Sequence, residues 1–212
     1  MEGRGKEEII VTLTPTLSRQ WRGEIFFERN IMSIEKLRWI VLSSLMAGLM
    51  AVGAYIHIPI GPVPIVLTNL FVLLAGLLLG SRWGIASAGL YLFVGAIGMP
   101  VFYGGKGGLA HIFGPTGGYL FGFVLCAWIA GFISERIRHR LGGEILAVII
   151  GSLIIYGLGV PWLKMFTKMS WSKALMVGMI PFFIGDTVKA TVAILLARAV
   201  RPMLNRQVTK VS

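Results

Sequence analysis

Charge is scarce in this 212-residue chain, and negative charge is scarcest: 9 acidic residues stand against 20 lysines and arginines. Asp186 is the only aspartate. Only 14% of residues are charged while 56% are hydrophobic, and the mean hydropathy is +0.80. That composition excludes an ordinary soluble domain and places the chain among integral membrane proteins, with the lipid bilayer as its first partner. One cysteine, Cys126, lies in an apolar run and excludes an internal disulfide or a cysteine metal cluster. His57, His111 and His139 fall in three separate inter-segment regions without H-x-x-x-H spacing, so neither a metal nor a cofactor is expected. A Walker phosphate loop is missing, so the chain does not hydrolyse nucleotide itself. A lone aspartate cannot share a proton with a second one, and no serine–histidine pair stands at crossing depth. Both absences argue against an intramembrane hydrolase, and no enzyme is expected. The formal charge of +11 comes with no basic helix face or aromatic-interleaved basic stripe, so no nucleic acid is expected either.

What is present is a series of apolar runs behind a polar lead. In residues 1–30, Arg4, Lys6, Arg19, Arg22 and Arg29 balance Glu2, Glu7, Glu8, Glu24 and Glu28 without an apolar period. The lead reads as a disordered extension rather than a signal peptide. Met32 is the expected native start, which gives a 1–31 extension and a membrane domain over 32–212. Apolar segments at about 39–57, 65–80, 83–99, 115–134, 144–163 and 172–198 are each near the length that crosses a bilayer as helix. Lipid satisfies no backbone hydrogen bonds, so these predict an all-α integral membrane bundle of six transmembrane helices. The second segment is short and follows Pro59, Pro62 and Pro64, so its entry is expected to be partly non-helical.

Lys and Arg concentrate in cytoplasmic loops, and the pattern here is one-sided. Lys36, Arg38, Arg82, Arg136, Arg138, Arg140, Arg201, Arg206 and Lys210 share one side, with Arg198 at the end of the sixth segment. Lys106, Lys164, Lys168 and Lys173 lie on the other. Both termini are predicted cytoplasmic in a multi-pass protein of the cell membrane. The two halves of the chain share no spacing of glycine, proline or charge, so no internal repeat is expected.

Four stretches carry candidate chemistry. In the last segment Asp186 and Lys189 stand three residues apart, on one helix face, and can neutralise each other or hold a polar ligand between them. Intramembrane ionisable groups are costly, which favours the ligand. Thr68 and Asn69 put a hydroxyl and a carboxamide just inside the second crossing, suited to a ligand carbonyl or N–H or to a neighbouring helix. Residues 99–119 hold a glycine-rich run with Tyr103 and Lys106 that reads as a folded lid or pocket wall. Tyr156 and Trp162 close the fifth crossing and suit either a membrane-interface belt or the wall of an apolar ligand. In the first segment Ser43, Ala47 and Ala51 repeat every four residues, a small-residue face for an external partner or for packing within the bundle.

Four motifs lie in this order across most of residues 38–198: Pro62-Val63-Pro64-Ile65-Val66-Leu67-Thr68-Asn69, Gly105-Lys106-Gly107-Gly108 with Gly114-Pro115-Thr116-Gly117-Gly118-Tyr119, Tyr156-Gly157-Leu158-Gly159-Val160-Pro161-Trp162, and Gly185-Asp186-Thr187-Val188-Lys189. Their combination resembles the BioY family, the biotin-binding S component of energy-coupling factor (ECF) transporters. The resemblance implies a biotin pocket open to the outside and uptake driven by a transmembrane coupling subunit with two ATPase subunits. It also implies a partner face on the first helix, which Ala47 and Ala51 match. Thr68 stands where the family usually has glutamine, leaving Asn69 to supply that turn's polar contact.

Applied to biotin, the resemblance makes Asp186 an acceptor for ureido N–H and Asn69 a donor to the ureido oxygen. Lys189 is then the counter-charge of the valerate or the partner of Asp186, and Lys106 a second candidate for the carboxylate. Tyr103, Tyr156 and Trp162 would wall the ring system. An S component for another small vitamin and a non-transport membrane scaffold are the alternatives.

Overall fold

A computed structural model describes residues 34–59 and 62–208, the side chains of 205–208 excepted. The expected 1–31 extension, Met32 and Lys210 lie outside the described residues. Helix α1, Ile34–Tyr55, begins in one compact unit, 1–41, and continues into a second, 42–212, to which everything that follows belongs.

Two short strands, β1 (His57–Ile58) and β2 (Ile65–Val66), pair antiparallel with His57 opposite Val66. This is the non-helical entry that the proline cluster predicts. Helix α2, Thr68–Ala96, doubles back on itself at Gly80, whose φ of 78° and ψ of −174° suit only glycine. A Cβ placed on Gly84 would lie 3.1 Å from the Cα of Gly76. In a straight helix residues eight apart are separated by about 12 Å. The halves 68–79 and 81–96 are therefore antiparallel, in contact, and correspond to the second and third predicted crossings. The Glu135 carboxylate closes the reversal by accepting from the Ser81 N–H at 2.9 Å and the Ser81 hydroxyl at 2.8 Å, at the positive start of the second half.

The remaining helices are α3 (Leu109–Ile112), α4 (Gly117–Arg136), α5 (Leu141–Thr167), α6 (Trp171–Gly178) and α7 (Phe183–Val208). The sixth predicted segment is broken between α6 and α7, where Met179 leaves helical dihedrals and Pro181, which has no N–H, sits in the 3-10 turn Ile180–Phe182. The protein is thus an all-α multi-pass membrane bundle of six helical crossings: α1, the two halves of α2, α4, α5 and the α6–α7 pair. Among the described residues, five stretches, the α2 hairpin counted once, are long and apolar enough to cross a membrane.

Helix α4 packs between the α2 hairpin and α5, and α7 rests on α2. Fully buried Ala127, Ala130 and Ala147 keep side chains small where these helices meet, which lets backbones approach closely. Large apolar residues such as Phe93, Leu153 and Leu195 are exposed around the outside, as lipid requires.

Of the two readings of the Ser43, Ala47, Ala51 face, burial favours packing at its first two positions. Ser43 is buried, shares a hydrogen bond with the Ser87 hydroxyl at 3.0 Å and reaches the Trp83 carbonyl at 3.3 Å. Ala47 is buried too, and Ala51 is half-buried. Small residues at Ser43 and Ala47 therefore serve packing onto the second half of α2, because an inward hydroxyl finds its acceptors within the bundle.

Hydrogen bonds also gather Ser81, Glu135, Glu144, Arg198 and Arg201 at one end of the bundle. At the opposite end Trp162 donates to the Gly114 carbonyl at 2.9 Å, Tyr119 to the Gly178 carbonyl at 2.8 Å, and Tyr55 to the Pro100 carbonyl.

Candidate functional site

The end opposite the arginines holds a cavity with about 600 Å³ of space once its open mouth is counted. Several parts of the chain build it, including Ala54 of α1 and Tyr91 of the second half of α2. The β2–α2 entry contributes Val63, Pro64, Val66, Thr68 and Asn69. The segment between α2 and α4 adds Phe102, Tyr103, His111 and Thr116. Helices α4 and α5 supply Tyr119, Phe123, Ile155 and Tyr156, and the α7 start supplies Phe182, Asp186 and Lys189. The lining is aromatic and aliphatic with a few polar groups, the usual build of a site that buries an amphipathic guest.

Its polar centre is the start of α7. Lys189 Nζ donates to Asp186 Oδ1 at 2.9 Å, and the Tyr156 hydroxyl donates to Oδ2. Asp186 is 8% exposed, yet it faces open space. A carboxylate offers about four lone-pair sites, so two bound donors leave it acceptor capacity toward the cavity. Tyr156 and Asp186 also border an apolar groove between α5 and α7, among Ile149, Leu153, Phe183 and Ile194, so their hydrogen bond divides the cavity from that groove.

Asn69 is different. It is only 4% exposed, lines the cavity, and its Oδ1 has no hydrogen-bond partner among the described residues. Leaving such an acceptor unmatched costs about 1–3 kcal/mol, a deficit that a ligand donor removes. Thr68, next to it, directs its hydroxyl away to the Met50 carbonyl at 3.1 Å, so the polar contact of this turn falls to Asn69.

The glycine-rich stretch is a folded wall. Phe102 is fully buried, set edge-on to Tyr91 with centroids 5.5 Å apart and stacked on His111 at 5.1 Å. Gly95 makes room for it, since a Cβ there would lie 2.0 Å from the Phe102 ring. Gly108 N–H donates to the Gly95 carbonyl at 2.7 Å and Phe102 N–H to the Lys106 carbonyl at 2.9 Å. Burial first, then the nearby Lys106 charge, lowers the His111 pKa below its ordinary value, so the ring stays neutral within the wall.

Of the residues singled out in the sequence, Asn69, Tyr103, Tyr156, Asp186 and Lys189 meet at the cavity. Lys106 and Trp162 do not line it. Lys106 is exposed, with Nζ 3.3 Å from the Tyr103 hydroxyl and 4.6 Å above its ring. Trp162 ties α5 to the α4 entry through Gly114 and touches the Phe121 ring. Tyr91, Phe102, His111, Thr116 and Tyr119 line the cavity without having been singled out as ligand contacts. The signal for Thr116 and Tyr119 was their place in the first turns of the fourth crossing.

The sequence profile of the BioY family matches residues 27–206. A probable biotin transporter BioY of Pyrococcus horikoshii is 42% identical over 162 residues, covering 76% of this chain and 95% of that protein. The biotin transporter BioY of Thermotoga maritima is 39% identical over 161 residues, covering 76% and 94%. A crystal structure of the S-component for biotin from an ECF-type ABC transporter superposes with a TM-score of 0.75 at 30% identity, covering 79% of this chain and 93% of that one.

Proposed function

Since this chain belongs to the BioY family, we infer that it is the membrane-embedded subunit that captures biotin for uptake. Transport rather than catalysis is the activity of the family. The observation that carries the reading to particular atoms is the unmatched Asn69 Oδ1 in one cavity with the Asp186–Lys189 pair. A ureido ring offers two N–H donors and one acceptor, and Asn69 and Asp186 together offer acceptors and amide donors to match.

In this assignment Asp186 accepts ureido N–H and the Asn69 carboxamide completes the ring's hydrogen bonds. Lys189, whose ammonium has three donors and one bond to Asp186, has donors left for the valerate carboxylate. Tyr103 and Tyr156 flank the apolar part of the guest. Lys106 is the outer cation that first meets the carboxylate, and Trp162 supports the wall from behind.

The chain carries no nucleotide-hydrolysis motif, so uphill uptake depends on partners: a transmembrane coupling subunit with two ATPases. Ala51 is the member of the small-residue face left half-exposed for that contact. Arginines gathered at the end away from the cavity support cytoplasmic termini and a pocket open to the outside of the cell membrane. Thermal-shift measurement on the purified protein with biotin, thiamine and riboflavin tests the substrate. Biotin alone is expected to raise the melting temperature, and stabilisation by another vitamin, or by none, overturns the reading.

A further inference from the structure

At the arginine-rich end, Glu144 in the first turn of α5 is fully buried and is met by two guanidinium groups from α7. One would suffice to neutralise it. Arg201 is the tight partner: it bonds Glu144 Oε1 and also donates to the Leu77 carbonyl at 2.7 Å, while its buried Nε has no partner among the described residues. Arg198 is loosely attached, with 3.4 Å to Glu144 Oε2 and a side chain 46% exposed. Two guanidinium charges against one carboxylate leave one positive charge over, and it faces a recess lined by Arg198, Arg201, His139 and Pro202.

The recess is built rather than accidental. His139 is held there by a 2.8 Å contact between its Nδ1 and the buried Ser134 hydroxyl, which leaves Nε2 for another partner. Burial and the Arg201 charge lower its pKa, against the weaker upward pull of Glu144 and Glu135, so the ring brings hydrogen-bonding capacity but little charge. Exposed Arg136, Arg138 and Arg140 surround it in sequence and strengthen the local positive field. Exposed apolar residues adjoin it as well: Ile137 and Leu141 on either side of His139 and Arg140, and Met203 after Pro202. A cationic recess with apolar residues beside it, at the end of a membrane bundle, matches an anion that carries hydrocarbon.

We propose that the recess formed by His139, Arg198 and Arg201 binds the phosphate of an anionic phospholipid, with the acyl chains lying along the adjoining apolar residues. A planar guanidinium fork recognises phosphate oxygens in pairs, and the exposed, loosely held Arg198 supplies that fork, while Arg201, engaged by Glu144 and the Leu77 carbonyl, fixes the wall and adds its charge.

Native mass spectrometry of the full chain, offered equal amounts of phosphatidylglycerol and phosphatidylcholine, tests this. Phosphatidylglycerol is expected to be retained in preference. Arg198→Gln should cut that preference about fivefold, the effect of one arginine near an anionic surface. Arg198→Lys should keep part of it, and Arg138→Gln, outside the recess, should cost clearly less than Arg198→Gln. Equal retention of the two lipids, or equal losses in Arg198→Gln and Arg138→Gln, would overturn the site in favour of diffuse surface charge. A third arm adds inorganic phosphate alone: if it stabilises the protein through Arg198 and phosphatidylglycerol does not, the recess takes free phosphate and the lipid assignment falls.

Discussion

The two ends of this bundle each hold a buried carboxylate beside basic side chains, and they differ in what is left unfinished. At one end Asp186, with Lys189 and Tyr156 on its two oxygens, borders an empty cavity that also contains an unmatched amide oxygen on Asn69. At the other, Glu144 is sealed at 0% exposure between Arg198 and Arg201 and ties α5 to α7. The carboxylate itself therefore plays a different part at each end. Asp186 borders the cavity and can meet a guest directly, whereas Glu144 is walled off and can act only through the arginines it holds.

Breaking each pair separates the two roles. Glu144→Ala should lower folding stability by about 3 kcal/mol, because it leaves the largely buried Arg201 without its counter-charge, and thermal unfolding in detergent reads the loss. Biotin affinity of the fraction that stays folded should be nearly unchanged. Asp186→Asn should do the reverse: binding should weaken by about 1.5–3 kcal/mol, measured by titration calorimetry, while the protein stays inserted and folded. Asn69→Leu sharpens the contrast. Replacing an unmatched buried amide with an apolar group of similar size should leave the ligand-free protein as stable or slightly more so, yet weaken biotin binding by about 1 kcal/mol. A drop in ligand-free stability would mean that Asn69 serves the fold.

The smallest effect concerns pH. The His111 and His139 pKa values are both lowered in the folded protein, so the unfolded chain takes up their protons first as pH falls. Stability from these groups is present above their ordinary value of about 6.5 and declines below it. The melting temperature should therefore fall between about pH 7 and pH 5, and His111→Gln should flatten part of that decline. A slope that survives His111→Gln unchanged would take the histidine out of the wall's energetics.

What the sequence made legible follows from what each signal encodes. Hydropathy and arginine placement located the six crossings, with Gly80 closing the second predicted segment and Arg82 standing before the third. Hydropathy does not encode backbone direction within an apolar run, so the break at Met179–Phe182 needed the structure. The Asp186–Lys189 pair was readable because three-residue spacing fixes a shared face and ionisable groups are rare in membrane helices. For Ser43, Ala47 and Ala51 the same spacing rule left two readings open, because periodicity says which residues share a face, not which way it points. The 99–119 run was readable as a pocket wall from its glycines and aromatics, but which of its rings turn inward was not, and Tyr91 lay outside it; the ring contacts reveal the joint task of Phe102, Tyr91 and His111.

Because a single glycine makes the turn at residue 80, with Glu135 clasped across it, no slack chain exists to let the two arms of α2 slide or splay. Asn69 rides on one arm and Tyr91 on the other, so they must travel as a rigid tongs whenever the protein changes shape.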